Sequence, residues 1–176
     1  MVKNFYKSGS LYSVCDTDKD ILVNIGKIYP GVRSTASFSD LLKDKDINAI
    51  VIAMPAEKHY EYSKKAILSG KDVFVEKPLS LRTENAEELV RLAKENNRIL
   101  MVGHLLQYHP VFKKLKEIVK SGKLGKIQYL YSNRLNFGKI RKEENILWSF
   151  APHDISMMLA LINKEPESVN TFGGYY

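Results

Sequence analysis

Short, largely apolar runs, each followed by a longer amphipathic stretch, constrain this chain more than any other feature. Leu11-Tyr12-Ser13-Val14-Cys15 stops at Asp16, and Ala49-Ile50-Val51-Ile52-Ala53-Met54 stops at Pro55. Asp72-Val73-Phe74-Val75 stops at Glu76, and Arg98-Ile99-Leu100-Met101-Val102 at Gly103. Runs apolar on both faces suit parallel strands covered by helices on both sides. Between them a helical period recurs at 17–28, 57–69 and 83–97. Thr83 is a candidate N-cap for the last, with Glu84, Glu87 and Glu88 placed early, where the helix dipole favours anions. Gly70 ends the second. With right-handed crossovers, this order predicts an open parallel α/β sheet.

After residue 105 the rhythm changes. A helical pattern at 110–121 stops at Ser121-Gly122, and Lys126 to Phe137 alternates as a strand. Ile127, Tyr129, Tyr131, Leu135 and Phe137 lie on one face; Gln128, Ser132, Arg134 and Asn136 lie on the other. The expectation is an antiparallel sheet with its apolar side packed and its polar side open to a ligand. A further helix is expected to begin near Pro152-His153-Asp154, and Ser168 to Phe172 reads as another strand. The chain thus divides into an α/β domain at 1–103 and the start of an α+β domain at 104–176. No internal repeat or low-complexity linker interrupts it.

The 176 residues, 44% hydrophobic and 27% charged, have the balance of a globular protein with a core of its own. A single cysteine, Cys15, cannot form an internal disulfide. The N-terminus lacks a signal-peptide apolar segment, and no apolar run approaches the roughly 18 residues of a membrane span. A cytoplasmic location away from membranes is therefore expected. The net charge of +7 comes mostly from dispersed lysines, such as Lys64-Lys65 and Lys113-Lys114, rather than from an arginine-rich face. That dispersal argues against a nucleic-acid partner and for a basic surface that favours small anions.

Ligand sites in open parallel sheets lie beyond the carboxyl ends of the strands. Asp16 stands at one such end, either to accept bonds from ribose hydroxyls or to cap the next helix. Lys77, between Glu76 and Pro78, reads as a functional lysine or as one that reaches solvent. His153, beside Pro152, is the acid/base candidate among the four histidines; the alternative is a capping or core histidine. His59 starts a helix at a strand end, His104 follows Gly103, and His109 before Pro110 reads as a turn residue. None pairs with cysteine or carboxylates at zinc-ligand spacing.

Taken in order, Ile52-Ala53-Met54-Pro55-Ala56 with His59-Tyr60, Val75-Glu76-Lys77-Pro78-Leu79, Val102-Gly103-His104, and Trp148 with His153-Asp154 resemble the Gfo/Idh/MocA oxidoreductases. Glu-Lys-Pro is that family's signature. Asn133-Arg134-Leu135-Asn136-Phe137-Gly138, Asn145-Ile146-Leu147-Trp148 and Ala151-Pro152-His153-Asp154-Ile155 resemble its UDP-N-acetylglucosaminuronate 3-dehydrogenase-like members. The resemblance implies hydride transfer between NAD or NADP and a secondary alcohol of a sugar or nucleotide sugar. Lys77 would hold the reacting hydroxyl, His153 would act as general acid/base, and Asp16 would bind the adenosine ribose. Met54, Pro55, His59, Glu76 and Lys77 would line the cofactor side. Arg134 is the candidate for a substrate carboxylate or phosphate, which a guanidinium matches bidentately. The acidic Asp16-Thr17-Asp18 leans toward NAD by repelling a 2′-phosphate.

Two departures qualify what the resemblance implies. Many relatives carry an aspartate four residues before the histidine, where this chain has Ser149. Relatives also begin with an apolar strand and a Gly-x-Gly-x-x-Gly turn that cradles the cofactor pyrophosphate. Gly-x-Gly occurs nowhere here, and Met1 to Lys7 resembles the later part of the helix after that turn. The expectation is an incomplete Rossmann-type sheet, truncated at both ends, with a slot at its centre and impaired dinucleotide binding. A non-catalytic remnant or interaction module, needing a partner chain to complete its sheets, is the alternative. A homo-oligomer would form through the second-domain sheet.

Overall fold

A computed structural model describes residues 1–135 and 145–174. The chain runs α1 (Val2–Lys7), β1 (Ser13–Cys15), α2 (Lys19–Ile28), β2 (Arg33–Thr35), α3 (Phe38–Lys43), β3 (Ala49–Ile52), α4 (Ala56–Leu68), β4 (Asp72–Val75), α5 (Thr83–Glu95) and β5 (Leu100–Val102). A 3-10 turn (Leu105–Tyr108), α6 (Pro110–Lys120) and α7 (Ile146–Ile162) follow. Each expected apolar run contains a strand: Asp72–Val75 matches its run in full, and the other three are each trimmed at one end. β2 and α3 were not foreseen, because Arg33-Ser34-Thr35 has no apolar run to announce it.

The strands pair in parallel but form separate sheets, β1-β2 and β3-β4-β5. In the larger sheet Ile50 lies opposite Val73 and Ile52 opposite Val75. These side chains face Ala66 and Ile67 of α4 and Leu89, Leu92 and Ala93 of α5, and together they form the core. Burying an aliphatic side chain of this size contributes roughly 1.5–3 kcal/mol. Lys71, itself 7% exposed, donates to the carbonyls of Asp44 (2.6 Å) and Ile47 (2.7 Å), tying the loop before β3 to the start of β4.

The expected covering of both sheet faces is corrected. On the second face Val51, Phe74 and Met101 form a row in register, and Val51 and Met101 remain 37% and 36% exposed. The described helices pack on one face only.

Beyond β5 the structure departs further from the sequence pattern. No strand forms over 126–135 or 168–172, and Asn136, Phe137 and Gly138 lie outside the described residues. Alternation assigns faces, but a strand exists only when a neighbour takes its backbone bonds. The faces are also reversed: Tyr129, Tyr131 and Leu135 are 76–87% exposed, while Ser132 and Arg134 turn toward α7. α7 begins at Ile146, capped by the Asn145 side chain accepting from the Trp148 N–H (3.1 Å), and Pro152 sits inside it. The proline is therefore not the start signal it resembled. α5 begins at Thr83, but Arg82 holds the cap position, and the Ser80 hydroxyl accepts the Arg82 N–H (3.2 Å). That bond fixes the turn one residue ahead of the expected cap. Among the described residues, no helix is long and apolar enough to cross a membrane.

Candidate active site

The carboxyl ends of β3, β4 and β5 carry Met54-Pro55, Glu76-Lys77-Pro78 and Gly103-His104 in adjacent positions. Parallel pairing alone achieves this, since every strand ends at the same edge of its sheet. Glu76 is held between its neighbours, with its N–H donating to the Ile52 carbonyl (2.9 Å) and its side chain against Gly103. A Cβ at Gly103 would lie 2.8 Å from Glu76 Oε2, so this glycine is needed for close approach.

Lys77 reaches out of this edge to α7. Its Nζ donates to the Ser149 carbonyl at 2.6 Å, across 72 positions of sequence. Pro152 has no N–H to give the carbonyl of Trp148, the residue before Ser149 in α7. The departure at Ser149 is thus met by the main chain: its carbonyl, not its side chain, holds the lysine.

His153 stands one turn further along α7 with its Nδ1 buried and unpartnered among the described residues. Its pKa is lowered below the ordinary histidine range by burial, and further by the charges of Lys77, Arg134 and His104; Asp154 opposes them. His104 lies within this electrostatic group, also with a buried, unpartnered Nδ1 and a pKa lowered by burial. The sequence signal for His104 is its place directly after Gly103 at a strand end.

Arg134 does not stand alone as an anion receptor. Its Nε and an Nη donate to Asp154 at 2.8 and 3.2 Å, and the Ser132 hydroxyl donates to the same carboxylate at 2.9 Å. Burial pushes the Asp154 carboxyl up, but the bonds from Arg134 and Ser132 and the nearby positive charge outweigh it, leaving the pKa below the usual range. Gln107 ties α7 to the 3-10 turn by donating to the Ser156 carbonyl (2.7 Å).

The remaining expected residues separate. Asp16 ends β1 in the other sheet, and its carboxylate accepts the Asp18 N–H (3.0 Å). The helix-capping alternative belongs to Asp18, which accepts from Asp20 and Ile21. His59 is 1% exposed, and both ring nitrogens lie against backbone carbonyls. It sits behind the site surface, not on it. His109 caps α6, its Nδ1 accepting the Val111 N–H (3.3 Å). A groove along α5, lined by Thr83, Ala86, Glu87, Val90, Arg91 and Lys94, lies apart from Lys77 and His153. Among the described residues, no group of three or more His, Cys, Asp and Glu residues could hold a metal ion.

Parallel strands joined by helical crossovers, with charged groups gathered at their carboxyl edge, define a Rossmann-type α/β protein. Residues 5–104 match the model of an oxidoreductase family with an NAD-binding Rossmann fold, and the chain belongs to this family, Gfo/Idh/MocA. It is 29% identical over 143 residues to 2,7-anhydro-N-acetylneuraminate hydratase of Mediterraneibacter gnavus, a match covering 76% of this chain and 38% of the relative. It is 29% identical over 129 residues to UDP-N-acetylglucosamine 3-dehydrogenase of Acidithiobacillus ferrooxidans, covering 73% and 40%. A crystal structure of a probable dehydrogenase from Thermotoga maritima superimposes with a TM-score of 0.78 at 25% identity, covering 88% of this chain and 48% of that one. The chain therefore spans well under half the length of these curated relatives.

Proposed function

We propose that this chain carries the hydroxyl-activating part of an NAD(P)-linked oxidoreductase of sugars or nucleotide sugars. Residues 1–103 belong to its dinucleotide-binding domain and 104–176 to its substrate domain. The observation that carries the reading is that Lys77 is held on the Ser149 carbonyl one helical turn before His153, whose pKa is lowered by burial and by that cation. A neutral imidazole accepts a proton from a secondary hydroxyl, and an ammonium beside the oxygen stabilises the alkoxide that forms. Asp154 partly offsets the positive field at His153, a task an aspartate at position 149 would otherwise share. Arg134, fixed by Asp154, presents a rigid positive edge to a substrate carboxylate or phosphate.

A bound nicotinamide supplies the hydride acceptor that no side chain can be. Asp16 would hold its ribose and the Met54-Pro55 turn would lie beside its ring, and the acids at 16 and 18 would favour NAD over NADP. No glycine pair in the sequence fits the pyrophosphate, so weak dinucleotide binding is expected.

Titrating the monodisperse chain with NADH and following nicotinamide fluorescence tests this reading. Weak but saturable binding is the expected result, and its absence from a folded sample would overturn the dinucleotide-linked reading of this chain. In a chain that binds both ligands, Arg134→Ala should weaken nucleotide-sugar binding by about tenfold, roughly the 1.5–3 kcal/mol of a charged hydrogen bond at its low end, and leave NADH affinity unchanged.

A second reading has its own observation. β1 and β3 each present an edge without a partner strand among the described residues, and such edges recruit other chains. If the chain is an interaction module, light scattering will show a concentration-dependent assembly and NADH will not saturate.

A further inference from the structure

His59 has no part in the chemistry above, yet it is one of the largest fully buried side chains in the protein. It lies in the first turns of α4, and its ring spans two segments of the site. Nδ1 is 2.6 Å from the Pro78 carbonyl oxygen, and Nε2 is 2.8 Å from the Met54 carbonyl oxygen. Both partners are carbonyls, which only accept. A neutral imidazole has one N–H, so it can satisfy one of them and must press a lone pair against the other. Only an imidazolium, with hydrogens on both nitrogens, makes both contacts attractive.

Met54 leads into Pro55 after β3, and Pro78 follows Lys77 after β4. We propose that His59 is a positioning residue: as a doubly donating imidazolium it clips these two turns together and sets the backbone from which Lys77 reaches Ser149. The role rests on the reading of Lys77 given above, because a positioned lysine matters only if that lysine acts. The clip itself is a property of the folded chain and is measured without substrate.

Long-range 1H–15N spectra of the histidine-labelled full chain test the protonation directly. Both His59 nitrogens are expected at protonated-type shifts, each with a slowly exchanging proton. One nitrogen at a bare, pyridine-type shift would overturn the proposal. Two variants then separate positioning from packing. His59→Asn keeps a donor near the Nδ1 position, facing Pro78, whereas His59→Gln keeps one near the Nε2 position, facing Met54. The Lys77 amide resonance should stay in place in His59→Asn and move by more than its linewidth in His59→Gln. Equal displacement in both, or none in either, would reduce His59 to a core residue and sink the positioning role. If either variant fails to fold, the wild-type ring spectrum still decides the donor count. A positive result here together with failure of NADH and sugar binding would retain the clip and reject the enzymatic reading.

Discussion

At the scale of single residues, the site is governed by which groups are kept neutral. The pKa of His153 is lowered first by burial and then by Lys77 and Arg134, and that of His104 by burial. A histidine whose folded pKa lies below its unfolded value binds protons more readily in the unfolded chain. Stability linked to these rings is therefore present above the ordinary histidine range and is lost as pH falls through that range toward the lower folded value. Urea unfolding at pH 7.5 and 5.5 should show this loss, and His104→Gln with His153→Gln should flatten it; an unchanged slope would count against the burial of both rings. Lys77→Met should raise the His153 pKa, followed through its Cε1 proton, and a constant titration midpoint would show that the two do not interact. Gly103 poses a steric question. Gly103→Ala brings a Cβ to 2.8 Å from Glu76 Oε2, the movable end of that side chain, and to 3.4 Å from its Cα. The expected cost is about 1 kcal/mol, the low end of overpacking penalties, and it should shrink in a Glu76→Ala background when both are measured by urea midpoint.

At the scale of elements, what could be read from the sequence depended on whether a signal was local. Ala49–Ile52 and Asp72–Val75 announced themselves as apolar runs, although only the alternate residues Ile50, Ile52, Val73 and Val75 are buried, and Ala56–Leu68 because one helical stripe meets that sheet. Arg33–Thr35 gave no such signal: it is an edge strand whose existence rests on backbone bonds to β1. The segment 126–135 carried a clear alternation and still forms no ladder, since Asp154 on α7 draws Ser132 and Arg134 inward and leaves Tyr129 and Tyr131 outside. The Lys77, Glu76 and His153 motifs were legible as residue types, but the carbonyl of Ser149 that meets Lys77 has no sequence signature at all. Pro152, inside α7, leaves the neighbouring Trp148 carbonyl without its helical donor. Pro152→Ala restores an N–H for the Trp148 carbonyl and removes an interior-proline penalty of up to ~3 kcal/mol. The variant should melt at higher temperature while the Lys77 resonances shift, and a gain in stability with Lys77 unmoved would separate the proline from the lysine contact.

At the scale of the whole molecule, stability is unevenly distributed. The core cluster consists of Ile47 and residues of β3, α4, β4 and α5. α1, α2 and α3 contain no buried residue, and Ser13–Cys15 and Arg33–Thr35 are at best half-buried. The smaller sheet meets the larger unit through half-buried side chains, Tyr12 before β1 and Phe38, Leu41 and Leu42 of α3, which pack against the core, and through an exposed bond from Tyr12 Oη to Asp46 (3.2 Å). Opening a region costs free energy in proportion to the apolar surface and backbone bonds it surrenders. The β1-β2 unit, with Ile21, Val23 and Ile28 of its helix already 44–63% exposed, surrenders little. Native-state hydrogen exchange should therefore place the amides of Val14 and Cys15 in a class that opens sub-globally, well below the global unfolding free energy, while those of Val73 and Val75 exchange only through global unfolding. This ordering bears on function, because Asp16 sits on the weaker unit and Lys77 on the stronger. If an NADH ribose binds Asp16, saturating NADH should slow exchange at β1 and β2 more than at β4. Equal protection of both sheets in the free chain would mean that the pairing of β1 with β2 is supported by more than the contacts described, and the proposed division of labour between a firm catalytic edge and a loose ribose edge would fail.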